Sequence, residues 1–384
     1  MIYLDNAATS WPKPPMVGEA MVSMLEQAGG NPGRSGHRLS IAAGRIVDDA
    51  RDRLAALLNA PDPLRVILTP NVTHALNAAL LGLLTPGDRV VTTGMEHNSV
   101  MRPLRGLQAS GVLVDVVPCD PQGRLDLDAL RVALVPGAKL VVINHGSNVT
   151  GTLQPLDEIV PMVHAAGSLC LVDAAQTAGT VPIDVTALGV DILAFTGHKG
   201  LLGPTGTGGM VLAPHLQPEM FRPAYSGGTG SRSEEELPPE VFPDRLEPGT
   251  LNAVGIAGLG AAVAYLQEIG IQSVRAREAE LVAHLLAGLA SIAGVQVYGP
   301  LDVEQRTATV SIRIEGLPVS VVGYRLDEEY EVLTRVGLHC SPAAHRTLGT
   351  FPQGTVRLAP GLFTTLEEID NTLRAVAEIA HSVH

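Results

Sequence analysis

Lys199 stands where a lysine could do covalent chemistry. It lies between a short apolar run and a glycine-rich loop in the stretch VDILAFTGHKGLLGPTGTGG, which begins at Val190. The chain has only three lysines, at positions 13, 139 and 199, so its basic surface consists almost wholly of arginine. A lysine in a water-poor cleft has a lowered pKa, and its amine can form a Schiff base with an aldehyde. The alternative is a surface lysine that pairs with a carboxylate.

Other polar residues follow short apolar runs and could serve the same chemistry. Asp173 ends the run SLCLVDA, where a carboxylate could keep a pyridine nitrogen protonated, and Gln176 one turn later could donate to a ring hydroxyl. His97 follows VVTTGME and could stack on a planar ring and shuttle protons, because an imidazole pKa lies near neutrality. Thr69–Thr73, which includes Val72, precedes the helical HALNAALLGLL and could seat a phosphate at a helix N-terminus. Each has a simpler explanation, namely helix capping or a loop position without a role.

Together these residues are the set that a protein supplies to pyridoxal 5′-phosphate. Thr196 and His198, beside Lys199, would complete the phosphate seat. Each member follows its own predicted strand, and ligands of doubly wound sheets bind beyond the carboxyl ends of the strands. The glycines after Lys199 would let backbone and cofactor approach closely. The combination predicts a pyridoxal-phosphate site with Lys199 as its covalent anchor.

Two alternating patterns between residue 45 and about residue 213 would position these residues. Amphipathic stretches such as RIVDDARDRLAALL give way to the short runs RVILT, DRVVTTG, LVDVVP, KLVVINH, SLCLVDA and DILAFTG. Such runs predict buried parallel strands in a doubly wound α/β sheet with helices on both faces. Later come helical patterns at 252–268 and 272–293, the strand candidates TATVSIRI and GTVRLA, and a helix from Thr365. This second pattern predicts an α+β unit with antiparallel strands.

This organisation predicts two domains. Residues 14–250 would form a large cofactor-binding domain. Residues 1–13 and 251–384 would form a smaller domain that carries a cysteine loop and an arginine for the substrate. The segment 223–250 is rich in Gly, Pro and Glu, which predicts an exposed loop leading into the second domain.

Composition argues against several function classes. With 46% hydrophobic and 17% charged residues, the chain is predicted to be globular, and its net charge of -13 disfavours nonspecific nucleic-acid binding. The sequence shows no uninterrupted apolar stretch of membrane-spanning length, and the start MIYLDNAATSWPKP lacks the layout of a signal peptide. Three cysteines, Cys119, Cys170 and Cys340, do not make a disulfide framework, which predicts a reducing, cytoplasmic setting.

The sequence resembles the class V aminotransferase family, in particular the short-loop cysteine desulfurases, a group that includes selenocysteine lyases. The resemblance runs nearly end to end and is carried by YLDNAATSWPKP, NPGRSGHRLS, MEHNSVMRPL, NHGSNVTGT, VDAAQTAG, TGHKGLLGPTGTG, LEPGTLN, RVGLHCSP and GTVRLAPGLFTT. The lysine and aspartate segments are specific for the class, and RVGLHC with GTVRLAP is specific for the desulfurase branch. It implies the fold type I of pyridoxal-phosphate transferases, L-cysteine as substrate, and a homodimer with shared active sites.

The resemblance also implies a role for each matching position. Lys199 matches the imine-forming lysine, Asp173 the partner of the pyridine nitrogen, and His97 the ring-stacking acid/base residue. Arg357 matches the anchor of the substrate carboxylate, which a bidentate guanidinium suits, although a structural ion pair is the alternative. The remaining matches are the ring-hydroxyl neighbours Asn148 and Gln176, the phosphate ligands Val72, Thr73, Thr196 and His198, Thr250 for the phosphate of the neighbouring subunit, and the substrate neighbours Ala7, Asn148 and Arg335.

Cys340 is predicted to be the nucleophile that takes the substrate sulfur. A thiol attacks only as the thiolate, and His339 and Arg335 are predicted to favour that form. Cys340 lies in a stretch of loop composition, whereas Cys119 and Cys170 lie within or at the end of apolar runs, as buried cysteines usually do. The alternative for Cys340 is the same role of a small buried hydrophobe.

The sequence thus predicts a pyridoxal-phosphate-dependent cysteine desulfurase that converts L-cysteine to L-alanine. A persulfide on Cys340 would pass its sulfur to an acceptor protein, and His345 would either act in the site or bind that partner. A selenocysteine lyase, a cysteine-sulfinate desulfinase or a cysteine/cystine β-lyase of the same fold stays open, because these can proceed by β-elimination without a cysteine nucleophile. A cofactor-free sulfur-trafficking module is the alternative outside enzymology.

Overall fold

The computed structural model describes residues 1–33, 35–232 and 234–382. Its helices, numbered along the chain, are α1 (Pro15–Gln27), α2 (Arg38–Leu58), α3 (Val72–Leu83), α4 (Asn98–Ala109), α5 (Leu127–Leu134), α6 (Leu156–Ala165), α7 (Val185–Leu188), α8 (Ala253–Ile269), α9 (Ile271–Ala290), α10 (Val319–Tyr330), α11 (Pro342–Thr347) and α12 (Leu366–His381). Its strands are β1 (Ile2–Tyr3), β2 (Val66–Thr69), β3 (Arg89–Thr93), β4 (Leu113–Val117), β5 (Leu140–Asn144), β6 (Leu169–Asp173), β7 (Ile192–Thr196), β8 (Gly208–Leu212), β9 (Val295–Tyr298), β10 (Val310–Ile314), β11 (Val332–Leu333), β12 (Arg335–Gly337) and β13 (Thr355–Leu358).

Among the described residues, a seven-stranded sheet occupies the first part of the chain, in the order β2-β8-β7-β6-β5-β3-β4. All of its strands run in one direction except β8, which is antiparallel to both of its neighbours. The six apolar runs of the sequence correspond to β2 through β7, which confirms the predicted doubly wound α/β sheet. The carboxyl ends of these six strands therefore meet at one edge of the sheet.

Helices cover both faces of this sheet. In β5, Val141 and Ile143 pack with α1, α2, α5, α6 and α8, whereas Leu140 and Val142 pack with α3 and α4 on the other side. Because both sides of a central strand are buried, its sequence is continuously apolar and does not alternate.

The last part of the chain contains a four-stranded sheet in the order β12-β13-β10-β9, in which every pair is antiparallel. The predicted strands TATVSIRI and GTVRLA correspond to β10 and β13, and the predicted final helix is α12, with Thr365 as its N-cap. Helices α9, α10 and α12 share a hydrophobic core with this sheet. The antiparallel α+β unit expected from the sequence is confirmed.

The first residues of the chain lie with the last part. Strand β1 pairs in parallel with β11, and Leu4 belongs to the core of the four-stranded sheet. Helix α8, in contrast, packs mainly against α1 and α2. The domain boundaries at residues 13/14 and 250/251 stay a prediction.

The segment 223–250 contains neither helix nor strand in its described residues. It is not exposed throughout, as the sequence suggested, because Leu246 and Glu247 are buried. The Glu247 carboxylate accepts from Arg51 Nη1 at 2.8 Å and from Arg51 Nη2 at 3.0 Å. This buried ion pair ties the segment to α2.

Within the described ranges, no single helix is both long enough and apolar enough to cross a membrane. Helices α8 and α9 meet those criteria only together, as a pair bent by 81°.

Candidate active site

Lys199 lies in a tight turn just beyond the carboxyl end of β7. Leu202 N donates to Lys199 O at 2.8 Å, and Gly203 N donates to Gly197 O at 2.7 Å. Enclosure of the Lys199 amine lowers its pKa to about 8, against a smaller raising effect of the Asp173 carboxylate. Lys199 is half-buried and lines a pocket together with Ala7 and Gln176, so the lowered pKa makes a neutral, nucleophilic amine available near physiological pH.

Asp173 ends β6, the strand beside β7, and only 3% of its surface is exposed. Burial raises the pKa of this carboxyl, while the backbone N–H of Ala175 and the charge of Lys199 act in the opposite direction. Gln176 Nε2 donates to Ala7 O at 3.0 Å, so two further predicted site residues are in direct contact.

A serine that sequence reasoning missed connects His97 to the phosphate seat. The His97 ring caps α4, with Nδ1 accepting from Ser99 N at 3.0 Å and lying 2.8 Å from Ser99 Oγ. Ser99 Oγ also lies 2.7 Å from Thr73 Oγ1. Burial, followed by the charges of Lys199 and Arg335, lowers the pKa of His97 to about 4. The near-neutral pKa assumed from the sequence is therefore wrong, and the ring is neutral at physiological pH.

The predicted phosphate seat contains buried polar atoms without partners. Thr196 Oγ1 and His198 Nδ1 are enclosed and have no hydrogen-bond partner among the described residues. Val72 and Thr73 form the first turn of α3, whose backbone N–H groups favour an anion. Leaving buried polar groups unpaired is unfavourable, so this cluster fits a bound anionic group such as a phosphate.

Thr250 lies at the protein surface. Its Oγ1 is 3.4 Å from Asn31 Nδ2, and it lines a cleft together with Thr69 and His74. An exposed position is what a residue that reaches a neighbouring subunit needs.

Cys340 is exposed, whereas Cys170 is buried and Cys119 is half-buried. Burial raises the pKa of Cys119 to about 12 and raises the pKa of Cys170 as well. Arg335 Nη2 lies 3.5 Å from Cys340 Sγ. His339 and Cys340 both have left-handed backbone conformations, with φ of 48° and 59°. Such conformations are unfavourable for residues with a side chain and persist only where the surroundings hold them.

Asn148 supplies much of that support. Its Nδ2 donates to His339 O at 2.7 Å, and its Oδ1 accepts from Ser341 Oγ at 2.7 Å. From α4, Asn98 N donates to Cys340 O at 2.9 Å. Besides the ring-hydroxyl role that the resemblance implies, the structure thus gives Asn148 a second one, which is to hold the turn that presents the thiol.

Two histidines near Cys340 are buried, which bears on the roles predicted for them. Burial, followed by the charge of Arg357, lowers the pKa of His339 to about 2, so its neutral ring does not stabilise a thiolate by charge. Its Nε2 instead lies 3.0 Å from Thr355 Oγ1. His345 is fully buried, with Nδ1 2.7 Å from Thr350 Oγ1, which argues against a direct contact with a partner protein, and a role within the site stays a prediction.

Arg357 is fully buried on β13, directly across from Arg335 on β12. Its Nη2 donates to Asp5 Oδ1 at 2.6 Å and its Nη1 donates to Asn148 O at 3.0 Å. The structural ion pair considered as an alternative is therefore real, and sequence reasoning missed Asp5, although it lies in the quoted YLDNAAT motif. Arg357 Nε has no hydrogen-bond partner among the described residues, so the guanidinium keeps an unused donor, and its role as anchor of a substrate carboxylate stays a prediction.

Several of the predicted site residues come from distant parts of the chain but lie close enough to Lys199 for their charges to affect its pKa. The charges of Asp173, Arg357, Arg335 and Cys340 all act on the Lys199 amine. The site thus combines an enclosed amine, a buried carboxylate, an anion seat, two guanidinium groups and an accessible thiol. Such a set can form an imine, stabilise negative charge and attack a sulfur atom.

Known proteins match this chain along nearly its whole length. The family model described as Aminotransferase class-V matches residues 2–372. A probable cysteine desulfurase of Methanothermobacter thermautotrophicus is 36% identical over 382 residues, which are 99% of this chain and 94% of that protein. The cysteine desulfurase of Haloferax volcanii is 33% identical over 384 residues, 98% of this chain and 88% of that protein.

Solved structures agree with the sequence relatives. The apo structure of a cysteine desulfurase from Thermococcus onnurineus matches with a TM-score of 0.91 and 32% identity, covering 99% of this chain and 95% of that one. The cysteine desulfurase CsdA from Escherichia coli matches with a TM-score of 0.87 and 30% identity, covering 99% and 94%. The chain therefore belongs to the class V aminotransferase family.

Proposed function

We propose that the protein is a pyridoxal-phosphate-dependent cysteine desulfurase that takes the sulfur of L-cysteine onto Cys340. The observation that carries this proposal is the presence, in one site, of an enclosed lysine amine and an exposed thiol beside a guanidinium. Relatives named cysteine desulfurase, aligned over nearly the whole chain, support it.

The residues of the site fit pyridoxal phosphate. The unpartnered Thr196 Oγ1 and His198 Nδ1 suit its phosphate, and the buried Asp173 carboxylate suits its ring nitrogen. When bound, the cofactor supplies an aldehyde for an imine with Lys199 and a ring that accepts electrons from the substrate. The other proposed holding residues are His97 over the ring, Gln176 and Asn148 near its hydroxyl, Val72 and Thr73 at the phosphate, and Thr250 for the phosphate of a second copy in a homodimer.

Lys199 would move the proton of the substrate Cα. Its pKa of about 8 lets the amine accept a proton and release it again near neutral pH. Arg357 and Arg335, which lie opposite each other on β13 and β12, would hold the substrate carboxylate, and Ala7 is a further proposed substrate neighbour. The neutral His97 ring, whose Nδ1 accepts from Ser99 N, would not add a charge to the site.

Cys340 would then attack the substrate sulfur as a thiolate. One S–S bond forms and the substrate Cβ–S bond breaks, with its electron pair staying on the substrate carbon, which takes up a proton. The products are alanine and a persulfide on Cys340, so the reaction needs no external oxidant or reductant. A sulfur-acceptor protein would collect the persulfide at this exposed position. The chemistry requires a reduced Cys340, which supports a cytoplasmic setting.

A comparison of Cys340→Ala with wild type tests the proposal. Alanine and persulfide are measured after addition of L-cysteine, with Cys119→Ala as the control that alters a half-buried thiol. We expect Cys340→Ala to bind pyridoxal phosphate but to form no persulfide, and Cys119→Ala to react like wild type. Full persulfide yield in Cys340→Ala would refute the assigned role. Turnover of selenocysteine but not cysteine by Cys340→Ala would favour a selenocysteine lyase.

A further inference from the structure

Lys13 contacts the turn that carries Lys199. Its Nζ donates to His198 O at 2.9 Å and to Ser10 Oγ at 2.7 Å. The His198 carbonyl also accepts from Ser10 N at 3.0 Å and from Thr9 Oγ1 at 3.1 Å. With Lys13 donating to it, the Ser10 hydroxyl is free to donate to Lys199 O, which lies 2.9 Å away. Thr9, Ser10 and Lys13 thus donate hydrogen bonds to two consecutive carbonyl groups of the lysine turn.

Lys13 differs from an ordinary surface lysine. Lys139 forms an ion pair with Asp88 Oδ2 at 2.7 Å, whereas no carboxylate pairs with Lys13 in the part of the chain that the structure describes. Lys13 is half-buried and stands between Pro12 and Pro14, just before α1. Because each proline has a fixed φ and also restricts the residue before it, the backbone presents the ammonium group from a stiff segment.

The lysine turn also packs against the backbone of a second segment. A Cβ atom at Gly200 would lie 2.6 Å from Ala178 O, and one at Gly179 would lie 2.4 Å from Gly200 O. The turn therefore packs directly on the segment that follows β6. Thr9, Ser10 and Lys13 bind the carbonyl groups of the same turn, so two separate segments of the chain hold the backbone around Lys199.

We propose that Lys13 is a positioning residue for Lys199, which it serves by fixing the backbone from which the reactive amine extends. A reacting amine must reach a fixed carbon atom, and misplacement by about 1 Å can lower a rate by about 100-fold. Lys13 bonds to backbone and to Ser10, and the proposal gives it no contact with substrate or cofactor. The proposal rests on the proposed function, because it requires Lys199 to form an imine.

The rate of imine formation tests this role without any turnover of cysteine. Cofactor-free protein is mixed with pyridoxal phosphate, the visible absorbance of the imine is followed, and borohydride reduction with peptide mapping locates it. The variants are Lys13→Met, which keeps the apolar stem, Lys13→Arg, which keeps charged donors, and Lys139→Met as the matched control. We expect about a tenfold slower imine at Lys199 in Lys13→Met, substantial rescue in Lys13→Arg, and the wild-type rate in the control.

The outcomes separate this inference from the proposed function. If wild type forms no imine at Lys199, the proposed function fails. If wild type forms it and folded Lys13→Met forms it at the same rate, the positioning role of Lys13 is overturned. Should Lys13→Met fail to fold, as melting curves would show, Ser10→Ala replaces it, because it removes one of the two acceptors of the Lys13 ammonium and so weakens its hold on the His198 carbonyl. An unchanged rate in Ser10→Ala would equally overturn the proposal.

Discussion

In the cofactor-free protein, the Lys199 amine should become reactive at a lower pH than the amine of an ordinary lysine. Enclosure lowers the pKa of Lys199 from 10.5 to about 8, because the charged form is disfavoured in a water-poor cleft. At pH 7, roughly one amine in ten is then neutral, compared with about 0.03% for an unperturbed lysine, a difference of about 300-fold. Since only the neutral amine attacks an aldehyde, the rate should rise with pH and level off above about pH 9.

The assay measures imine formation with pyridoxal phosphate between about pH 6 and about pH 11, followed by borohydride reduction and peptide mass analysis. Peptide mapping is essential, because burial lowers the pKa of Lys13 to about 8 as well. For the peptide that contains Lys199 we expect the rate of imine formation to reach half of its maximum near pH 8, because burial lowers the pKa of the amine to about 8. In Asp173→Asn the midpoint should fall, because the Asp173 carboxylate raises the pKa of Lys199. A wild-type midpoint near that of a free lysine, or an upward shift in Asp173→Asn, would refute the reasoning.

Three further substitutions test other contacts. Arg335→Met removes a cation 3.5 Å from Cys340 Sγ, whose attraction in a solvated setting is about 1 kcal/mol. Iodoacetamide alkylation of Cys340 should therefore slow about fivefold, and an unchanged rate would show that Arg335 does not stabilise the thiolate. Asn148→Ala removes both amide contacts to the turn that carries Cys340, so denaturant melts should show a fall of about 2 kcal/mol in the free energy of unfolding. Single-turnover assays should show slower formation of the persulfide. A variant equal to wild type in both measurements would contradict this role of Asn148. Glu247→Gln leaves Arg51 buried without its charge partner and should lower the unfolding free energy by about 3 kcal/mol, whereas an unaltered denaturation midpoint would mean that the pair does not stabilise the fold.

The apolar runs of the sequence predict β2 through β7 because these strands lie in a sheet covered by helices on both faces. The same pattern does not predict strand β8, because this strand begins with Gly208 and Gly209 and follows a glycine-rich loop. The structure requires Gly209 there, since a Cβ atom would lie 2.3 Å from Ile67 O. Strands β1, β11 and β12 have two or three residues each, which is too short for any periodic pattern to show.

The residue types of the candidate site are visible in the sequence, but their contacts are not. Asp5 pairs with Arg357 and Lys13 with the carbonyl of His198, and each pair is separated by more than 180 residues of chain. No local spacing signals such contacts. The neutral state of His339 is equally invisible, because it results from burial and not from the neighbouring sequence.

The most direct test of the proposed function is the mass of the peptide that contains Cys340 after one turnover. Protein loaded with pyridoxal phosphate is mixed with a limiting amount of L-cysteine, alkylated and digested, and the alanine released is counted. The account predicts one added sulfur atom on Cys340 for each alanine formed, with Cys119 and Cys170 unchanged. Alanine release with an unmodified Cys340, or the added sulfur on another cysteine, would contradict it.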